Sequence, residues 1–160
     1  MVLRLKTRSE DDTFALGRAL GACLRPGDTL LLSGDLGTGK SVLARGAARA
    51  LGVEGPMPSP SFTILFPYEG KCPVYHFDLY RLGSEEEVLD LGFDEIFFGG
   101  EGVCAVEWCE VAGSIFAGAR AIDVTLQGEG DERTILLEGM HGTFDVGRLV
   151  QHGIRVRDEG

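Results

Sequence analysis

The alternation of apolar and polar positions divides the chain into strand-like and helical stretches. Residues 2–6 alternate with a period of two and predict a first strand. Ser9 then offers an N-cap, Glu10, Asp11 and Asp12 supply acids for a first turn, and Leu16, Leu20, Cys23 and Leu24 fall on one helical face. After a turn at Arg25-Pro26-Gly27-Asp28, the run Thr29-Leu30-Leu31-Leu32-Ser33 is apolar on both sides, as in a buried strand of a parallel sheet. A helix rich in Ala, Leu and Arg is expected over residues 41–51, ending near Gly52.

The pattern continues with Pro56-Met57-Pro58-Ser59-Pro60, which is too stiff for a helix. Residues 61–68 and 73–77 read as strands joined by a turn at Glu69-Gly70-Lys71. Ser84-Glu85-Glu86-Glu87 is a capping box opening a short helix that Gly92 closes, and residues 94–98 add a further helical turn. Val103-Cys104-Ala105-Val106 is a second buried-type strand, and residues 121–127 and 134–138 form a late hairpin around Gly128-Glu129-Gly130-Asp131. The length of 160 residues suits one domain, expected over residues 1–140, with residues 141–160 as a peripheral, weakly helical tail.

Composition narrows the classes. No run of about 18 apolar residues is present, so no membrane-spanning helix is expected, and the alternating N-terminus lacks the features of a signal peptide. A cytoplasmic protein is therefore expected. The four cysteines form no C-x-x-C pair and His76, His141 and His152 are not at metal-ligand spacing, which argues for reduced thiols rather than a zinc site. The net charge is −10 and only Lys6, Lys40 and Lys71 are lysines, so long stretches of nucleic-acid backbone would be repelled.

The chemistry concentrates in Gly34-Asp35-Leu36-Gly37-Thr38-Gly39-Lys40-Ser41, a G-x-x-x-x-G-K-[ST] phosphate-binding loop placed between a buried strand and a helix. Backbone N–H groups of such a loop curl around phosphate oxygens, and the helix N-terminus adds its positive end. Lys40 is expected on the outer phosphates and the Ser41 hydroxyl on Mg²⁺. Nucleotide contacts are expected from Gly34, Asp35, Leu36, Gly37, Thr38, Gly39, Lys40, Ser41 and Val42. Two further strands end in acids, Asp78 and Glu107, positions from which a carboxylate can hold Mg²⁺ or orient water. Glu107 is favoured for the metal and Asp78 as a second acid at the metal or the water, with the reverse assignment open. Trp108, directly after Glu107, reads either as a packing residue or as an anchor for a partner or substrate.

Together these segments resemble the TsaE (YjeE) family, the small bacterial ATPases required for threonylcarbamoyl-adenosine modification of tRNA. The resemblance is carried by the phosphate loop, Ser59-Pro60-Ser61-Phe62-Thr63, His76-Phe77-Asp78-Leu79-Tyr80-Arg81-Leu82, Asp90-Leu91-Gly92 and Val106-Glu107-Trp108, in that order, and covers about residues 8–139. It implies a three-layer α/β P-loop domain with a mixed parallel and antiparallel sheet, and ATP with Mg²⁺ as ligands. It matches Ser41 and Glu107 to the family's metal positions and Asp78 to its Walker B-like acid, so that Lys40, Asp78 and Glu107 form the catalytic set. It matches residues 59–63 to a switch near the γ-phosphate. The implied partners are TsaD and TsaB, with the ATPase driving turnover of that complex rather than transferring the carbamoyl group. On this reading TsaD carries the tRNA, and no direct tRNA or DNA binding is expected from so acidic a chain. Adenine contacts would come from near the first helix and a late strand, with Ser9, Thr13 and Arg133 as candidates. Ser61 and Ser41 stand where threonine is commoner, both keeping the hydroxyl, and Cys109 stands where proline is usual, which predicts a looser turn after Trp108.

Other nucleotide enzymes fit less well. The chain contains no asparagine, so it lacks the N-K-x-D motif with which GTPases read guanine, and it has no D-x-x-G. A small-molecule kinase of the P-loop class usually needs an arginine-bearing lid, and Arg81 is the one arginine between Asp78 and Glu107. A nucleotide-gated binding module with negligible turnover would share every motif with a slow ATPase.

Overall fold

The computed structural model describes residues 2–60 and 62–139; Ser61 and the expected C-terminal tail lie outside the described residues. The described residues form seven strands in one sheet, β1 (Leu3–Thr7), β2 (Thr29–Ser33), β3 (Leu65–Glu69), β4 (Pro73–Asp78), β5 (Val103–Glu107), β6 (Ala121–Gln127) and β7 (Arg133–Glu138). Four helices, α1 (Glu10–Gly21), α2 (Lys40–Ala50), α3 (Glu85–Asp90) and α4 (Phe93–Phe98), cover it.

The spatial order is β1-β7-β6-β2-β5-β4-β3. The strand that feeds the phosphate loop, β2, is therefore central. It runs parallel to β5 and β6, and β4 runs parallel to β5. The antiparallel partners sit outside this parallel block: β3 on β4, β7 on β6 and β1 on β7. The architecture is the mixed three-layer α/β arrangement expected, and both hairpins lie where the turn residues predicted them.

Alternation along the strands sorts side chains between the two faces. Leu30 and Leu32 join the core under α1 and α2, together with Val74, Val103, Ala105, Val124 and Leu137. Leu31, Phe77, Cys104 and Val106 point the other way, into an aromatic core with Val88 of α3 and Phe97 of α4. In that second core Phe77 meets Phe97 with ring centroids 4.8 Å apart, and Phe97 meets Phe116 at 4.6 Å. On the first face α1 and α2 pack backbone to backbone. A Cβ at Gly17 would fall 2.1 Å from the Leu43 carbonyl oxygen, and one at Gly46 2.2 Å from that of Phe14, so only glycine permits this approach.

The helix starts follow their capping chemistry. The Ser9 hydroxyl accepts from the Asp12 N–H at 3.1 Å, and that of Ser84 from the Glu87 N–H at 3.3 Å. The box at α3 closes differently from the expected pattern, since the Glu87 carboxylate accepts from the Gly83 N–H, at 3.0 Å, rather than from its capping serine.

Two features depart from the periodicity. The strand expected over residues 61–68 begins only at Leu65. The Thr63 and Ile64 N–H groups both donate to the Pro60 carbonyl, at 3.1 and 2.8 Å, which folds this stretch into a tight turn. Ile64 takes a φ of 68°, a left-handed conformation costly for a β-branched residue. Residues past Trp108 form one-turn 3₁₀ helices at Cys109–Ala112 and Ile115–Gly118, which no period in the sequence marks.

Candidate functional site

At the carboxyl ends of the parallel strands the chain leaves β2, turns through the phosphate loop and enters α2. Ligands of open α/β sheets are held at such ends. Gly39 caps α2 with a φ of 98° and offers no side-chain hydrogen bond to the first turn, which leaves the helix N-terminus available to a ligand. A cavity of about 360 Å³ lies over them, lined by residues of the phosphate loop, α1, β4, β5 and the β6–β7 turn.

The loop residues divide into two groups. Leu36, Gly37, Thr38, Gly39, Lys40, Ser41 and Val42 line the cavity. Gly34 and Asp35 do not; they sit beneath it and present their carbonyls to the Lys40 ammonium, which donates to Gly34 and, at 3.4 Å, to Asp35. The ammonium also lies 3.9 Å from the centroid of the Trp108 ring, a cation–π contact. Trp108 itself has a φ of 56° and leans against Tyr80, with centroids 4.8 Å apart. Of the two readings left open for Trp108, packing and anchoring, the structure gives both a basis: the residue is half-buried against Tyr80 and lines the cavity.

The two acids arrive on the same side of the sheet as α2. Asp78 and Glu107 are register partners on β4 and β5, two residues beyond His76 and Ala105, and the alternation carries all four to the α2 face. Glu107 is buried, and the Ser41 hydroxyl donates toward both of its oxygens, at 2.8 Å to Oε2 and 3.0 Å to Oε1. His76 Nε2 lies 2.6 Å from Glu107 Oε2. Asp78, also buried, accepts from the Tyr80 N–H at 3.0 Å, so its carboxylate is held at the strand end facing the cavity.

The donor set suits a hard divalent cation: a hydroxyl and two carboxylates, all oxygen. No group of three or more His, Cys, Asp or Glu among the described residues could hold a metal unaided. Mg²⁺ in phosphoryl enzymes is held by one or two carboxylates with the remaining positions taken by phosphate oxygens and water.

The adenine candidates Ser9, Thr13 and Arg133 all line the same cavity. Arg133 reaches from β7 to donate to the Thr38 and Gly37 carbonyls, each at 3.0 Å, pinning the late hairpin to the phosphate loop. Arg81, the arginine nearest Asp78 in sequence, does not line the cavity; its guanidinium sits 4.8 Å from the Phe62 ring.

Two residues here went unassigned in the sequence. His76 stands two positions before Asp78, and a period of two would have put both on one face. Arg45 lines the cavity four residues after Ser41, on the same side of α2, and its Nε is buried without a hydrogen-bond partner. None of the four cysteines is in a disulfide, and burial pushes Cys104 up to about 12 and also raises Cys109, so neither is a nucleophile near neutral pH. Cys109 does begin a short 3₁₀ turn, with its Sγ 3.4 Å from Ser33 Oγ.

Comparison with known proteins agrees with the geometry. The family model described as threonylcarbamoyl adenosine biosynthesis protein TsaE matches residues 7–135. The chain belongs to the TsaE family. It is 37% identical over 145 residues to the TsaE protein of Bacillus subtilis, covering 90% of each, and 40% identical over 108 residues to that of Treponema pallidum, covering 68% of this chain and 79% of the relative. Both relatives are described as tRNA threonylcarbamoyladenosine biosynthesis proteins. The crystal structure of Bacillus subtilis YdiB superposes with a TM-score of 0.70 at 34% identity, covering 86% of this chain and 84% of that one. A P-loop fold in the TsaE family thus places the chain among tRNA-modification proteins with a nucleotide-binding architecture. No helix among the described residues is long and apolar enough to cross a membrane.

Proposed function

We propose that the chain binds ATP with Mg²⁺ and hydrolyses it slowly, and that this ATPase supports threonylcarbamoylation of an adenosine in tRNA by acting on a TsaD–TsaB complex. The observation that carries this reading is the Ser41–Glu107 pair at the mouth of the phosphate loop, with Asp78 beside it. Lys40 lies within the same cavity, held by backbone carbonyls and an aromatic face rather than by a carboxylate. A lysine so held can be drawn to phosphate oxygens without breaking an ion pair.

The roles follow from position. The α2 N-terminus and loop N–H groups bind the phosphate chain, and Lys40 compensates charge on its outer oxygens, more so as charge builds on transfer. Ser41 and Glu107 hold the cation, and Asp78 serves as second acid, at the cation or at the attacking water. Mg²⁺, when bound, supplies charge neutralisation at the phosphate oxygens. The late hairpin and the start of α1 also line the cavity, and Ser9, Thr13 and Arg133 there are the candidates for contacts to the base.

Slow turnover by the isolated chain is expected because the arginine of the late hairpin and the arginine nearest Asp78 are otherwise placed. Arg133 is spent on loop carbonyls and Arg81 points to Phe62. In P-loop enzymes an arginine supplied from outside raises turnover by about 10³–10⁵-fold. The acidic surface leaves tRNA to the partners. A steady-state ATPase assay with and without TsaD and TsaB tests the reading: the mixture should turn over much faster, and equal rates would defeat the partner-completed mechanism. Displacement of labelled ATP more tightly by GTP than by ADP would defeat the choice of nucleotide.

A further inference from the structure

His76 has no part in the reading above, yet it makes the shortest contact to Glu107. Its Nε2 is 2.6 Å from Oε2, and the two side chains are 4% and 5% exposed. A carboxylate can only accept, so with Glu107 ionised as a cation ligand the histidine nitrogen is the donor in this pair. The last torsion of a glutamate is a broad, roughly two-fold rotor and does not set its own carboxylate plane. Ser41 cannot set it either, because its single hydroxyl hydrogen is shared toward both oxygens. The contact from His76 breaks this symmetry: Oε2 takes the histidine as well as the nearer hydroxyl contact, at 2.8 Å, and Oε1 has the hydroxyl alone, at 3.0 Å.

The sheet fixes His76 for this task. It stands on β4 opposite Ala105, whose side chain is too small to come between the ring and Glu107 two residues further along β5. Its other register partner is Phe66 on β3, so the imidazole lies over sheet on both sides and beneath α2.

We propose that His76 is a positioning residue for Glu107, holding one carboxylate oxygen so that the other, with the Ser41 hydroxyl, stays presented to the nucleotide's divalent cation. Outer partners of metal ligands act in this way in many sites, and losing them costs about 10–100-fold in metal affinity or activity. His76 acts so only if Ser41 and Glu107 hold that cation, as proposed above.

The test is calorimetric titration of Mg²⁺ into the protein saturated with ADP, beside titration of ADP in chelator. His76→Leu removes the donor and should raise the half-saturating Mg²⁺ concentration by about 10–100-fold. Its affinity for metal-free ADP should stay within about threefold of the unaltered chain. His76→Gln keeps an N–H near the same place and should restore the half-saturation to within about threefold. A folded His76→Leu protein with unchanged Mg²⁺ dependence overturns the proposal. So does equal weakening with and without metal, which is what a merely structural histidine would give, and so does a glutamine variant no better than leucine. If the leucine variant does not fold, His76→Asn, whose donor falls short of Glu107, takes its place in the same comparison. Should the unaltered chain itself bind ADP without regard to Mg²⁺, the metal reading of Ser41 and Glu107 fails first, and the two failures are distinguishable.

Discussion

The inner end of the cavity and the surface farther out are built on opposite terms. At the inner end Lys40, His76, Asp78 and Glu107 are all buried, and each has a partner within the fold: carbonyls, an aromatic ring, a carboxylate, a hydroxyl or a backbone N–H. Farther out, Leu36 on the cavity wall, Tyr80 against Trp108 and Phe62 in the turn before β3 are large apolar side chains left mostly exposed, at 72%, 58% and 81%. Phe62 belongs to the turned segment that ends in the strained Ile64, and the Arg81 guanidinium lies over its ring. A satisfied interior needs nothing further to bind a nucleotide. Exposed apolar side chains farther out are what a surface awaiting a partner looks like. On the function proposed above, ground-state binding would fall to the inner end and completion of the site to contacts made by the outer residues.

The largest test of this division is Lys40→Ala. The inner end should then fail in both respects, with ATP affinity weakened and complex-stimulated turnover down by about 10²–10³-fold or more, as read by calorimetry and a coupled ATPase assay. Glu107→Ala should separate the two. ATP affinity should remain within about tenfold of the unaltered chain, roughly 1.4 kcal/mol, while most of the stimulated activity is lost, because the cation matters more in the transition state than in the ground state. Asp78→Ala should behave likewise if both acids serve the cation. Near-normal turnover in Glu107→Ala would shift the metal role to Asp78.

A third test bears on what keeps the inner end rigid. Gly17→Ala drives a methyl into the Leu43 carbonyl of α2, the helix that carries Lys40 and Ser41. Overpacking of this kind costs about 1–3 kcal/mol, and urea unfolding should show it as a lower midpoint. An unchanged midpoint would mean that the helix pair can slide, and that the loop is less firmly seated than the packing implies. The smallest effect on the isolated chain is expected among the outer residues. Phe62→Ala should change stability by no more than about 0.5 kcal/mol and leave ATP binding alone, yet reduce stimulation by TsaD and TsaB. Full stimulation of that variant would remove Phe62 from the completing surface and blur the comparison at its outer end.

Much of the site could be read before any coordinates. The phosphate loop announces itself because phosphate binding needs consecutive backbone N–H groups, glycines that permit their curl, and a lysine and hydroxyl at fixed offsets, all within eight residues. The acids Asp78 and Glu107 were legible because each ends a strand recognisable by its apolar run. The helix starts were legible because capping is a local exchange between a side chain and an N–H three residues on.

What the tertiary structure decided is whatever depends on neighbours far apart in the chain. The sheet order sets β4 beside β5, and only that placement brings His76 to Glu107 across 31 positions of sequence. The same order brings Arg133 to the phosphate loop, 95 positions from Thr38, and Trp108 over Lys40. The turn at residues 60–64 escaped the period-two pattern because local backbone hydrogen bonds to Pro60, not side-chain burial, shape it. Gly17 and Gly46 carried no signal as helix-interior glycines, which are unfavourable by propensity; they become necessary only once α1 and α2 press their backbones together. Sequence determines a motif when its chemistry is local, and the fold decides a partnership when its chemistry is made by a sheet that gathers distant strands.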